Sequence, residues 1–192
     1  EFKFVDEEIS HILKLQPKFL LGLKPDLGLK EADRYGILVL EEFYCTKHGN
    51  GKDFLRSLIL RYPFLLNKTK SHIEGVFELL AKHGIDEKDA IRYTYDYPKL
   101  FSVKLEKQMS EVFHLFKLYN NIEQDKVMTM FRGFPYLFCC DTIKMRKFLA
   151  EFKKYKMTED QIVNLVSRNP SQITGVQKWR ASGHSGLKLP QL

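Results

Sequence analysis

Apolar residues recur along this chain at helical spacing, in blocks that each end on a proline. Counting back eight, five and four residues from Pro63 gives Leu55, Leu58 and Ile59. The same count from Pro135 gives Val127, Met130 and Phe131, and from Pro170 it gives Ile162, Leu165 and Val166. Pro17 is preceded by Ile9, Ile12 and Leu13, and Pro98 by the weaker set Ala90, Tyr93 and Thr94. Spacings of three and four put such side chains on one face of an α-helix. Proline has no N–H and keeps the residue before it out of helical geometry, so each helix is expected to stop there. Helix starts are marked as well. Thr158 and Gln161 fit a capping box, Ser71 and Glu74 fit another, and Asp86 is placed to cap the helix that carries Ala90.

The five prolines are separated by 46, 35, 37 and 35 residues. Apolar pairs follow three of them at fixed offsets: Leu65-Leu66, Leu100-Phe101 and Leu137-Phe138. Phe19-Leu20 repeats this in the first unit, and Ile173 keeps the second position alone in the last. A second amphipathic helix then follows. Its stripe is Ile73, Val76, Phe77 and Leu80 in one unit and Met145, Phe148, Leu149 and Phe152 at the same offsets in another. Met109, Val112, Phe113 and Phe116 are shifted by one residue, in the unit that is 37 residues long. Each unit therefore reads helix, proline-broken short turn, helix, then a loop such as His83-Gly84 or Asn120-Asn121.

No such unit buries its stripes alone, so neighbours are expected to stack into an all-α superhelical solenoid. The long first interval adds a helical stretch from Leu29 to His48, with Tyr35, Leu38, Val39, Phe43 and Tyr44 as core candidates. The pattern stops after Gly175. Residues 1–175 are expected to form the repeat domain and 176–192, around Trp179 and Arg180, an irregular basic tail.

Arg61-Tyr-Pro-Phe-Leu-Leu66, Asp96-Tyr-Pro-Lys-Leu-Phe101 and Gly133-Phe-Pro-Tyr-Leu-Phe138 carry a resemblance to a known family. The chain resembles the mitochondrial transcription termination factor (mTERF) family, over about residues 5 to 175. That resemblance implies stacked three-helix repeats, residence in mitochondria or plastids, and a groove that grips DNA or RNA. Members of the family act in transcription termination or initiation, organelle RNA processing and ribosome assembly. This chain is shorter than many of them, so its groove is expected to be truncated.

Composition changes the picture once the charge is located. The net charge is +7, with ten Lys/Arg against four Asp/Glu in residues 141–192 and twenty-one against twenty before them. Such polarity suits a footprint for phosphates, and equally a lysine-rich solvated surface. On the face of each first helix turned away from its apolar stripe stand Arg61, Arg92, Arg132 and Arg168, one in each of four successive units. Arginine's planar fork fits phosphate oxygens, and stacking would align the four along one flank. The alternative is that they are solvated or pair with carboxylates such as Asp96. A second basic cluster is Lys144, Arg146, Lys147, Lys153, Lys154 and Lys156, and Arg180 adds a charge in the tail. The Phe and Tyr residues fall mostly on the core stripes and read as packing.

Enzymatic chemistry finds no support. The chain has no glycine-rich phosphate loop, no HExxH and no nucleophile elbow. Cys45 and His48 make half of a metal site without a second half, and Cys139-Cys140 read as small core residues. Three cysteines do not form a disulfide framework and fit a reducing compartment. No cofactor is implied, and no apolar run approaches the roughly 18 residues of a membrane span. The chain opens on Glu1 with no Arg-rich or apolar leader, which reads as a trimmed or processed chain. The expected partner is nucleic acid, RNA or double-stranded DNA, in the mitochondrial matrix or a plastid. A structural rRNA-binding subunit or assembly factor of a mitochondrial ribosome is the alternative. A protein-interaction solenoid contacting ribosomal or other organellar proteins is a third.

Overall fold

The computed structural model describes residues 4–17, 36–47, 52–102 and 104–168. Nine α-helices are present among them: α1 (Asp6–Leu15), α2 (Gly36–Glu41), α3 (Lys52–Arg61), α4 (Lys70–Lys82), α5 (Glu87–Asp96), α6 (Leu105–Asn120), α7 (Gln124–Gly133), α8 (Thr142–Lys154) and α9 (Glu159–Arg168). A π-helix, Glu42–Lys47, continues α2. No strand occurs among the described residues. The chain divides into two compact units, Glu1–Leu105 and Glu106–Leu192.

The prolines do what their chemistry requires. Helices α3, α5 and α7 each stop two residues before Pro63, Pro98 and Pro135, and each proline opens a 3-10 turn: Pro63–Asn67, Pro98–Phe101 and Pro135–Cys139. Tyr62, Tyr97 and Phe134 stand between helix and turn with φ from −143° to −129°, outside the α region that a following proline disfavours. Leu65, Leu100 and Leu137 are fully buried, as their place in the repeat demands. The second helices close alike, on a residue in the left-handed region: Gly84, Asn121 and Lys156. Ile85 N–H then donates to Leu80 C=O (3.1 Å) and Met157 N–H to Phe152 C=O (3.1 Å). In the longer unit the bond from Ile122 reaches one residue further back, to Phe116 (3.2 Å), which adds a residue beyond the slip in the stripe.

In the first unit Leu55, Leu58 and Ile59 of α3 and Ile73, Val76, Phe77 and Leu80 of α4 are buried in the core. Phe77 stacks on Phe43 (4.2 Å) and meets Phe101 edge-on (5.8 Å). Thr94 is buried yet satisfied: its hydroxyl donates to Ala90 C=O (2.8 Å) and lies 2.6 Å from the Tyr44 hydroxyl. His72 Nε2, in the first turn of α4, lies 2.6 Å from Phe101 C=O and ties α4 to the next proline turn.

In the second unit the core holds Met109, Val112 and Phe116, the α7 stripe, and Met145, Phe148, Leu149 and Phe152 of α8. Helices α7 and α9, the first helices of successive repeats, lie side by side. Lys126 near the start of α7 pairs with Glu159 and Asp160 at the start of α9 (both 3.3 Å). At the other end Gly133 lies so close to Ser167 that an added Cβ would meet Ser167 O at 3.0 Å. The two helices therefore run parallel, as translated copies in a repeat must.

Several expectations are corrected. Ile9 and Leu38 are exposed (43% and 56%), not core. Leu13, Phe113 and Leu165 are half-buried. Helix α4 is capped by Thr69, whose hydroxyl accepts from His72 N–H (3.2 Å), so Ser71 lies inside the helix and heads no capping box. Local sequence offered two hydroxyls, and the extended backbone at Thr69 (ψ 161°) selected the first. The Thr158–Gln161 box is formed in both directions (2.9 and 3.3 Å), and Asp86 accepts from Asp89 N–H (2.7 Å). Phe19-Leu20, Tyr35, His48, Pro170, Ile173, Trp179 and Arg180 lie outside the described residues, as does the tail 176–192.

Candidate nucleic-acid interface

Helix α8 begins on Asp141, whose carboxylate accepts from Ile143 N–H (2.8 Å) and Lys144 N–H (3.0 Å). Met145, Phe148, Leu149 and Phe152 follow at spacings of three and four and are buried, which fixes the rotation of the helix. At about 100° per residue the opposite line is Ile143, Lys147, Ala150 and Lys154, with Lys144, Arg146 and Lys153 on its shoulders. All five cations are exposed, as is Lys156 just past the helix. Glu151, half-buried, is the single carboxylate within the helix.

Among the described residues no carboxylate forms an ion pair with Lys144, Arg146, Lys147, Lys153 or Lys154. Several cations elsewhere are engaged: Lys52 with Glu41 (3.1 Å), Arg92 with Asp89 (2.8 Å), Lys117 with Glu123, and Lys126 with its two acids. Lys153 and Lys154 stand in the last turn, where the helix dipole favours positive charge. The α8 face is thus a concentration of positive charge left open to solvent and to polyanions.

The four arginines fare differently from one another. Arg61 and Arg92 belong to the first unit, Arg132 and Arg168 to the second. The Arg61 guanidinium lies over Tyr62 (5.8 Å) and over Tyr95 of α5 (5.2 Å), so it is placed by aromatic faces. Arg92 lies over Tyr93 (5.1 Å) and is bound to Asp89. Its hydrogen bond to Tyr93, then Asp89 and Asp96, hold it more firmly charged than usual. A phosphate at Arg92 would have to compete with these acids. Arg132 and Arg168 are exposed at the ends of α7 and α9, beside the Gly133–Ser167 contact that brings those two ends together.

One feature that periodicity did not reveal is a ring cluster around Pro63. Tyr62 and Phe64 lie 6.2 Å apart, Lys68 stands over Phe64 (5.9 Å), and Tyr95 stacks on Phe54 (4.0 Å). Burial pushes the Lys68 ammonium pKa below its usual value. Its trace in the sequence is the pair of aromatic residues that flank Pro63. His114 is exposed, and Cys139 and Cys140 are buried. Among the described residues no group of three His, Cys, Asp or Glu could hold a metal ion, and no helix is long and apolar enough to cross a membrane.

A family model described as mTERF matches residues 43–189. No curated protein matches the chain significantly.

Proposed function

The chain belongs to the mTERF family, and from that premise we propose that it is a nucleic-acid-binding repeat protein of mitochondrial gene expression. It holds RNA or double-stranded DNA through the outward face of α8. The observation that carries this reading is the set Lys144, Arg146, Lys147, Lys153 and Lys154, exposed together with no ion-paired carboxylate among the described residues. Arg132 and Arg168 are exposed cations of the same unit, and Arg180 is a further candidate outside the described residues. Arg92 contributes less to phosphate binding, because Asp89 already engages it. Contacts of this kind place a protein on the sugar-phosphate chain without reading bases.

The test is a salt titration of binding, read by fluorescence anisotropy, on the chain and on a variant with all five α8 cations changed to Gln. Glutamine keeps the helix propensity close to that of lysine and arginine. If each cation neutralises one phosphate, the slope of log affinity against log salt falls by up to about 4.5 on duplex, at about 0.9 per contact. On a single strand it falls by up to about 3.5, at about 0.7 per contact. An unchanged slope would remove α8 as the interface.

A further inference from the structure

The ring cluster at Pro63 is not required by the repeat. At the position before the proline, Phe134 is buried but Tyr62 and Tyr97 are half-buried. At the position after it, Phe64 and Tyr136 are half-buried, while the corresponding Lys99 is exposed and has no ring. The packing duty of each turn falls to the buried proline and to Leu65, Leu100 and Leu137. Only at Pro63 do both flanking residues carry rings that keep part of their surface in solvent.

These rings are held in place by their backbone. Tyr62 N–H donates to Leu58 C=O (2.9 Å) and Tyr62 C=O accepts from Leu65 N–H (3.1 Å), so the segment between helix and turn is anchored on both sides. Two cations accompany them, Arg61 over Tyr62 and Lys68 over Phe64, and neither has a carboxylate partner among the described residues. Half-exposed, pre-placed rings flanked by cations are the chemistry that takes up unpaired nucleobases, because every base offers a π-face and its chain offers phosphates. Bases inside a duplex are already stacked on one another and reach such a surface only at the cost of being flipped out.

We propose that Tyr62 and Phe64 form a stacking platform for unpaired bases of a single-stranded nucleic acid, with Arg61 and Lys68 supplying charge for its backbone. The inference rests on the nucleic-acid reading above but names a different surface and a different ligand form. It gives the first unit a role that phosphate contacts on α8 do not supply.

The experiment uses the full chain, a Tyr62→Ala/Phe64→Ala variant and a Tyr62→Phe variant. Each is titrated with labelled oligouridine, oligodeoxythymidine, an abasic strand of equal length and a duplex. Losing the rings should weaken single-strand binding roughly ten- to hundredfold, leaving duplex affinity within about twofold and the salt slope unchanged. Tyr62→Phe keeps the π-face and should bind as the parent does. The abasic strand should bind the parent as weakly as the base-bearing strands bind the ring-less variant. The two oligonucleotides separate RNA from DNA as the source of the bases. Equal losses on duplex and single strand, or no loss at all, overturn the proposal; a ring pair serving a protein partner would give the second result. Because the double variant could fold poorly, the parent is also cross-linked to a 4-thiouridine strand and the adducts mapped. Adducts on Tyr62 or Phe64 support the platform, and adducts confined to other segments overturn it. A parent that binds no nucleic acid overturns both readings. An α8 variant with an unchanged salt slope, beside a ring effect that persists, removes the α8 interface alone.

Discussion

Three glycines that look interchangeable in the sequence should respond in opposite ways to alanine. Gly75 lies inside α4, and a Cβ there meets nothing within 4 Å. Glycine in a helix interior is disfavoured against alanine by roughly 0.5–1 kcal/mol, so Gly75→Ala should stabilise by about that amount. Gly133, the last residue of α7, faces the backbone of α9: a Cβ would meet Ser167 Cβ at 2.9 Å, Ser167 O at 3.0 Å and Ser167 Cα at 3.1 Å. Ordinary contact begins at 3.4 Å, so a helix backbone must retreat by a few tenths of an ångström. Overpacking of that kind costs about 1–3 kcal/mol, and the helix-propensity gain offsets part of it, leaving a net loss of about 0.5–2 kcal/mol. Gly36, opening α2, is tighter still, with Lys68 O at 2.3 Å and Thr69 O at 2.8 Å from the added carbon. Relief there needs roughly 1 Å of movement in the backbone that carries the Thr69 cap, so Gly36→Ala should lose about 3 kcal/mol or more. Urea unfolding followed by far-ultraviolet circular dichroism measures all three against the parent. Gly36 and Gly75 lie in the same compact unit, so their difference of about 4 kcal/mol is read on one transition. A Gly36→Ala protein as stable as the parent, or a Gly75→Ala protein less stable than it, would refute the reasoning.

Other expectations concern the core, the caps and one ion pair. Leu100→Ala should cost about 2–5 kcal/mol by denaturant unfolding, because the side chain is fully buried beside its proline turn. Thr69→Ala should cost about 1 kcal/mol and Ser71→Ala less than about 0.5, since only the first hydroxyl caps α4; equal losses would restore the Ser71 box. The hydrogen bond from Arg56 holds the Glu8 carboxyl pKa below its usual 4.5, with a bond from Val5 N–H helping. A carboxyl pKa depressed by folding stabilises above the unfolded value and ceases to do so as pH falls through the folded one. The protection of α1 amides against hydrogen exchange, taken relative to the intrinsic rate at each pH, should therefore be steady down to about pH 4.5 and fall below it, and Glu8→Gln should remove that dependence.

Much of the architecture was legible without coordinates. Proline acts on its own residue and the one before it, so the ends of α3, α5 and α7 follow from Pro63, Pro98 and Pro135 whatever surrounds them. The 3.6-residue period equally committed Leu58, Ile73, Met130 and Leu149 to the interior, and with them the outward cations of α8. These are local rules, settled within one or two turns of chain. What tertiary structure decided is where one segment meets another. Nothing near Leu38 in sequence says that Val39 and Leu40 turn inward and leave it outside. No neighbour of Arg61 announces that Tyr95, on another helix, will take its guanidinium. Gly36, Gly75 and Gly133 differ only in how close a distant backbone comes, at Lys68 in one case and Ser167 in another. Helix ends and buried stripes depend on steric and solvation terms that a short peptide already carries. Close approaches and shared rings depend on contacts that exist only after the repeats have stacked, and for those the coordinates were needed.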